Sequence, residues 1–181
     1  AIRDMLSEFR LGINGELKKI TIYKGGDVSA ATSIEQSHNL FRKLVRDALN
    51  HKILPIVLGG GHDYGYPHIA AAYDVFKKDI ALVNVDAHLD VRPPNVHGIT
   101  SGSPFYLAIE SGVLNPINFV EFGIQPHCND PAYYEYLQKK KAKLIFLNEA
   151  RKNKGPVATF KKILKKFKKV VVSFDLDAVA M

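Results

Sequence analysis

The chain is organised around the stretch Ile80-Ala81-Leu82-Val83-Asn84-Val85-Asp86-Ala87-His88-Leu89-Asp90. An apolar run of the kind found in β-strands ends there in two carboxylates and an imidazole, spaced two residues apart. Alternate side chains of an extended backbone share one face, so we expect Asp86, His88 and Asp90 to converge. Such groups repel one another unless a cation lies among them. The stretch therefore predicts a metal site at the end of a buried strand.

Two further apolar runs end in residues of the same kind. Leu54 to Leu58 leads into Gly59-Gly60-Gly61-His62-Asp63, and Val170 to Phe174 leads into Asp175-Leu176-Asp177. The glycines allow a tight turn and a close approach of the backbone to a ligand. Ligands of open parallel sheets bind beyond the carboxyl ends of the strands. We therefore expect the three stretches to form one site.

Strand-like and helix-like segments alternate along the chain. The sequence predicts strands at 20–23, 53–58, 80–85, 117–122, 144–147 and 170–174, and helices at 33–49, 67–77, 103–111, 130–137 and 156–168. The strands are continuous apolar runs, which is typical of a parallel sheet covered on both faces. We therefore expect an α/β fold, a three-layer α/β/α arrangement with a mostly parallel sheet. Residues 1–19 are polar and mixed, and Gly12 and Gly15 argue against a helix there.

Length and composition favour one globular domain of residues 1–181, with 46% hydrophobic residues and a mean hydropathy of −0.07. No apolar run approaches the roughly 20 residues of a membrane span, and no secretory leader is visible. The single cysteine, Cys128, cannot form an internal disulfide, so we expect a reducing, cytoplasmic environment. A parallel strand also needs a crossover after it, and Met181 follows the last predicted strand closely. We therefore expect further C-terminal sequence in the intact protein.

The net charge of +7 comes largely from lysines within 139–143 and 161–169. Those segments fall on predicted helix faces or ends, where lysine is usually solvated. A nucleic-acid surface is the alternative, but no interleaved aromatic and arginine residues support it. We expect a small-molecule substrate, and neither a nucleic-acid nor a membrane partner.

Six candidate metal ligands follow from the three stretches: His62, Asp86, His88, Asp90, Asp175 and Asp177. Oxygen donors dominate and no thiolate takes part, which favours Mn(II), with other divalent metals left open, over structural zinc. Four carboxylates carry more charge than one divalent ion balances, so two ions about 3.5–4 Å apart fit better. The alternative is that these aspartates are ordinary turn formers and helix caps. Their combination with Gly-Gly-Gly-His disfavours it.

The three motifs, the last being Ser173-Phe174-Asp175-Leu176-Asp177, resemble in order and spacing the metal motifs of the arginase superfamily of ureohydrolases. The resemblance spans residues 53–181. It implies a three-layer α/β/α fold, a dinuclear manganese centre and hydrolysis of a C–N bond in a guanidino or formimino group. It further implies the following ligand sets: His62, Asp86, Asp90 and Asp175 for one ion, and Asp86, His88, Asp175 and Asp177 for the other. Asp86 and Asp175 would bridge the ions, and Asp90, the catalytic candidate, would accept a hydrogen bond from a metal-bridging hydroxide.

Two stretches after the central motif indicate a branch of that family. Ser101 stands where arginases and agmatinases have a histidine, and His97 is close enough in sequence to substitute only if the loop shifts. Ser101-Gly102-Ser103-Pro104-Phe105 and Asp90-Val91-Arg92 are more similar to formimidoylglutamases, which hydrolyse N-formimidoyl-L-glutamate to L-glutamate and formamide. Arg92 and Ser101 are the candidate substrate-binding residues, because Arg92 falls where relatives contact the substrate α-carboxylate. A guanidinium can hold a carboxylate bidentately, although a surface salt bridge is the alternative.

Arginase or agmatinase activity on the same centre and a non-catalytic relative remain the alternative functions. The resemblance also implies a homo-oligomer, a trimer or a hexamer. His38 and His51 belong to a predicted amphipathic helix, and His68 and His127 to a helix and a loop. We expect none of these four histidines to have a functional role.

Overall fold

The computed structural model describes residues 11–13, 16–18, 25–28, 33–96, 98–152 and 155–179. Within them the main sheet has four parallel strands, in the spatial order 143–146, 119–124, 81–85 and 170–174. A separate antiparallel pair lies near the start of the chain. The strands are β1 (Leu11–Ile13), β2 (Glu16–Lys18), β3 (Ala81–Val85), β4 (Phe119–Ile124), β5 (Lys143–Phe146) and β6 (Val170–Phe174). The predicted parallel α/β fold is confirmed.

Apart from a short helix at 147–150, which was not predicted, the described helices follow the predicted order along the chain. They are α1 (Ile34–Asn50), α2 (Gly65–Phe76), α3 (Pro104–Glu110), α4 (Pro131–Lys139), α5 (Leu147–Ala150) and α6 (Pro156–Leu164). Ser33 caps α1 by accepting a hydrogen bond from the Gln36 amide at 3.2 Å, and Asp130 caps α4 in the same way. In the described part of the chain, no helix is both long and apolar enough to cross a bilayer.

The two faces of the sheet are covered by different helices. Leu82 packs with side chains of α2, α3 and α4, whereas its neighbour Val83 packs with side chains of α5 and α6. This alternation follows from the period of two along a strand. α1 lies outside α2, where Phe41 and Val45 pack on Ala71. The result is the predicted three-layer α/β/α arrangement.

The predicted strand at 53–58 is wrong. The segment forms no strand, and Leu54 and Ile56 are 81% and 71% exposed. An apolar segment forms a strand only if a neighbouring strand supplies hydrogen-bond partners for its backbone. No described strand pairs with this segment. β6 likewise pairs with β3 alone among the described strands, which leaves Val172 and Phe174 about half exposed.

Other differences are small. The strand predicted at 117–122 lies at 119–124, because Asn115 caps a 3-10 turn at 116–118. The last helix ends at Leu164 rather than at 168. The strand predicted at 20–23 lies outside the described residues, and the short β1–β2 ladder was not predicted.

Candidate metal centre

The candidate centre lies at the carboxyl ends of β3 and β6. Val85 pairs with Phe174 in the sheet, so Asp86 and Asp175, the next residue of each strand, begin at the same level. The Asp175 amide donates to the Val85 carbonyl at 2.9 Å, which extends the ladder by one bond. His62 reaches this level from a 3-10 turn, residues 62–64, that precedes α2.

His62 faces three of the predicted carboxylates with one ring nitrogen. Its Nδ1 lies 2.7 Å from Asp90 Oδ2, 3.2 Å from Asp86 Oδ2 and 3.4 Å from Asp175 Oδ2. Its Nε2 lies 2.7 Å from the hydroxyl of Ser173. A ring whose Nε2–H donates to Ser173 presents the Nδ1 lone pair to the carboxylates, which is how a metal-ligating histidine is held.

His88 forms a second group with carboxylates on the other side of Asp86. Its Nδ1 lies 2.8 Å from Asp177 Oδ2 and 3.5 Å from Asp86 Oδ1. His62, Asp86 and Asp90 thus form one compact group, and Asp86, His88 and Asp177 form another, with the candidate ligand atoms of each group within 4.8 Å of one another. Asp86 belongs to both. Asp175 meets the first group only through His62, and its Oδ1 accepts from the Asp177 amide at 3.0 Å.

The charges of the site favour the binding of a cation. Burial lowers the pKa of His62, but the close approach of the Asp86 and Asp90 carboxylates outweighs burial and raises the pKa to about 10. Burial raises the pKa of Asp90, and burial together with the charge of Asp86 raises that of Asp177. Protons therefore collect here to offset the negative charge. His62 Nδ1 is also buried without a well-aligned hydrogen bond. The donor set and this orphaned atom both fit divalent metal ions.

The loop that carries these ligands is fixed by one asparagine. The Asn129 side chain accepts from the Leu89 amide at 2.9 Å and donates to the Ala87 carbonyl at 2.9 Å. Asp90 itself has a φ of 44°, a left-handed conformation that aspartate tolerates better than most residues. Sequence reasoning missed Asn129, for which the only signal was a polar side chain in a short loop after a strand.

A buried polar pair beneath the site was also missed. Asn84 and Glu121 are fully buried within β3 and β4. The amide nitrogen of Asn84 donates to Glu121 Oε2 at 3.0 Å and to Asp86 Oδ2 at 3.3 Å. Polar residues inside otherwise apolar strands were the available signal. Ser173 of β6 is another polar strand residue whose role was missed: its hydroxyl lies 2.7 Å from His62 Nε2 and so orients the His62 ring.

The predicted substrate residues lie on the loop between Asp90 and α3, and both are exposed. The Arg92 side chain packs along Gly102, where an added Cβ would come within 2.8 Å of Arg92 Cδ. Neither Arg92 nor Ser101 forms a hydrogen bond or ion pair through its side chain with a described residue. His97 lies outside the described part of the chain.

The fold and the paired ligand groups define a metal-site protein of the α/β class, and the comparisons name its family. A model of the Arginase family matches residues 1–181, and the chain belongs to that family. The formimidoylglutamase of Streptococcus pyogenes serotype M5 (strain Manfredo) is 31% identical over 146 residues, which are 78% of this chain and 44% of the relative. The chain therefore spans about half the length of the curated relatives that it matches.

Solved structures agree with this assignment. Trypanosoma cruzi formiminoglutamase with Mn2+2 matches with a TM-score of 0.82 and 34% identity, over 90% of this chain and 54% of that one. Formimidoylglutamase from Bacillus subtilis matches with a TM-score of 0.76 and 28% identity, over 84% of this chain and 49% of that one. The arginase-like fold expected from the motifs is thereby confirmed.

Proposed function

We propose that this chain belongs to a manganese-dependent hydrolase that converts N-formimidoyl-L-glutamate and water to L-glutamate and formamide. The observation that carries the proposal is that Asp86 is shared by two groups of histidine and carboxylate ligands. A shared carboxylate is what a two-ion centre requires. Relatives named formimidoylglutamase and a formiminoglutamase structure with two Mn²⁺ ions support the choice of reaction and metal.

Six side chains would hold the manganese: His62, Asp86, His88, Asp90, Asp175 and Asp177. When bound, two such ions lower the pKa of a water molecule and so supply a nucleophile near neutral pH. The chain itself orients the ligands: Ser173 fixes the His62 ring, and Asn84 and Asn129 hold Asp86 and its loop. This arrangement keeps the ligand atoms in place before any ion binds.

Asp90 is the proposed catalytic residue because, among the six candidate ligands, it is the carboxylate that is both buried and raised in pKa. It is 9% exposed, and burial raises its pKa. A carboxylate in such surroundings accepts a proton more readily than an exposed one. We therefore assign to Asp90 the transfer of a proton from the attacking water to the departing nitrogen.

Arg92 and Ser101 are proposed to face the substrate. Arg92 has no ion-pair partner among the described residues, so its guanidinium is available to a substrate carboxylate. Gly102 holds its stem, which limits the directions that the head can take. A glutamate-derived substrate offers carboxylates, whereas agmatine has none, and Ser101 supplies no imidazole for a guanidino leaving group.

The proposal extends to a cytoplasmic homo-oligomer, either a trimer or a hexamer. The lone Cys128 suits a reducing compartment. The oligomer follows only from the family resemblance, and light scattering on the purified full-length protein tests it.

Turnover measurements test the proposed reaction. Manganese-loaded full-length protein is assayed for product release from N-formimidoyl-L-glutamate, arginine and agmatine. We expect turnover of the first alone. Turnover of arginine or agmatine would support the arginase or agmatinase alternative, and no turnover despite two bound ions would support a non-catalytic relative.

A further inference from the structure

His38 and Asp63 form a buried pair that the proposed mechanism does not use. His38 Nε2 lies 2.6 Å from Asp63 Oδ2, and the two residues are 5% and 8% exposed. A carboxylate buried this deeply is costly unless it is hydrogen-bonded. The short distance is that of a strong, charge-assisted bond. From the sequence we expected no functional role for His38, and this contact was not predicted.

Asp63 follows His62 directly within the 3-10 turn. Its carboxylate folds back over Gly61 so closely that a Cβ at Gly61 would overlap Asp63 Oδ1. Tyr64, the last residue of the turn, packs edge-on against the rings of His38 and Phe41, with centroids 5.0 and 5.1 Å away. Residues of α1 therefore hold the turn in place through their contacts with two successive side chains, those of Asp63 and Tyr64.

α1 is a firm support for this contact. Arg42, one turn beyond His38, forms a two-pronged ion pair with Asp74 of α2, at 2.8 and 2.6 Å. The apolar side chains of Phe41 and Val45 pack on α2 at the same interface. Because α1 is anchored to α2, the position of His38 is fixed relative to the start of α2.

The same turn presents His62 to the carboxylates from its other side. The His62 ring is oriented by Ser173 and by the edge of Phe105, 5.5 Å away. Those contacts set how the ring is turned, but the backbone beneath it is set by Asp63 and Tyr64. A shift of the turn would move Nδ1 away from both Asp86 and Asp90.

We propose that His38 is a positioning residue of the metal centre: by holding Asp63 it fixes the turn that carries His62. This inference rests on the proposed function, since it assumes that His62 binds manganese. The inference predicts that losing the His38–Asp63 bond weakens the binding of one of the two ions. Loss of the His38–Asp63 bond weakens the ion held by His62, Asp86 and Asp90, while the ion held by Asp86, His88 and Asp177 remains.

A matched pair of variants at position 38 tests this. The amide nitrogen of glutamine in H38Q reaches the place of His38 Nε2, whereas the shorter asparagine in H38N reaches only the place of Nδ1. The affinity of full-length protein for Mn²⁺ alone is measured by titration with EPR detection, without substrate. We expect H38N to bind one of two ions at least about tenfold more weakly, as is typical when the support of a metal ligand is removed. We expect H38Q to bind both nearly as the wild type does.

L49A is the control for a general loosening of α1. It removes apolar packing near the far end of the helix and lowers the melting temperature, but it leaves the contacts of His38 and Arg42 in place. Equal Mn²⁺ affinities in H38N and H38Q, or an equal loss in L49A and H38N, would overturn the positioning role. If H38N does not fold, H38F replaces it under the same expectations. A wild type that binds no manganese would instead overturn the proposed function itself.

Discussion

The carboxyl groups of Asp86 and Glu121 are joined through a single amide, that of Asn84, which donates one hydrogen bond to each. Burial raises the pKa of Glu121 well above its usual value, and the charges of Asp86 and Asp90 raise it further. Burial therefore favours the neutral form of Glu121 inside the sheet. In that form it holds Asn84 without adding a negative charge beneath the proposed metal ligands.

Replacing Glu121 by glutamine should change how stability depends on pH. Because the folded chain keeps the Glu121 proton above pH 4.5 and the unfolded chain releases it, wild-type stability falls as the pH rises from 4.5 through the raised pKa. E121Q has no such proton. In thermal unfolding of metal-free protein, the Tm of the variant relative to that of the wild type should be higher at about pH 8 than at about pH 5. A constant difference in Tm would contradict a neutral Glu121.

His62 should lose a proton when manganese binds. In metal-free protein its pKa is raised from 6.5 to about 10, so the ring is charged near pH 8 and must become neutral to bind a metal. The charged ring stabilises the folded chain fully below pH 6.5, and this contribution disappears as the pH rises through about 10. Calorimetric titration with Mn²⁺ in buffers of different ionisation enthalpy measures the protons released. H62N should release about one proton fewer than the wild type on binding Mn²⁺.

Removal of Asp86 should affect both ions, because it belongs to both ligand groups. D86A should retain no manganese after dialysis, whereas H62A and H88A should each mainly weaken one ion. D175A tests the bridging role that the family motif assigns to Asp175 and should also lose both. Metal analysis of the dialysed full-length proteins gives the ratios, and the same loss in all four variants would contradict the assignment of separate groups.

Arg92 should control the KM for N-formimidoyl-L-glutamate. Loss of a desolvated charged pair costs ~2–5 kcal/mol, so R92A should raise KM steeply while both ions stay bound. G102A should act in the same direction, because its methyl group displaces the Arg92 stem. R46A, which removes an exposed arginine on α1, is the control. Unchanged KM in R92A would remove Arg92 from the substrate site.

The three ligand motifs could be predicted from sequence because each is local. A strand that ends in alternating aspartate and histidine brings its own residues together, and parallel strands place their ends at one edge. Asp86 and Asp175 begin at the same level as a result, whereas His62 reaches them from a 3-10 turn and not from the strand predicted at 53–58. The order of helices and strands followed from apolar periodicity in the same way.

Long-range contacts could not be predicted. The bond between His38 and Asp63 joins residues 25 positions apart, and that between Leu89 and Asn129 joins residues 40 apart. No local pattern distinguishes these side chains from ordinary helix or loop residues. The segment 53–58 failed for the opposite reason: its apolar pattern was clear, but pairing depends on a neighbour that no local pattern reveals.

The exposed edge of β6 has a practical consequence for anyone who handles this chain. Among the described residues no strand pairs with the outer edge of β6, and such an edge, next to the half-exposed Val172 and Phe174, is a ready template for the backbone of another molecule. The exposed apolar segment around Leu54 and Ile56 is a second surface prone to aggregation. We therefore expect aggregation of the isolated chain to begin at these two places. V172K would place a charge beside this edge without replacing any proposed metal ligand.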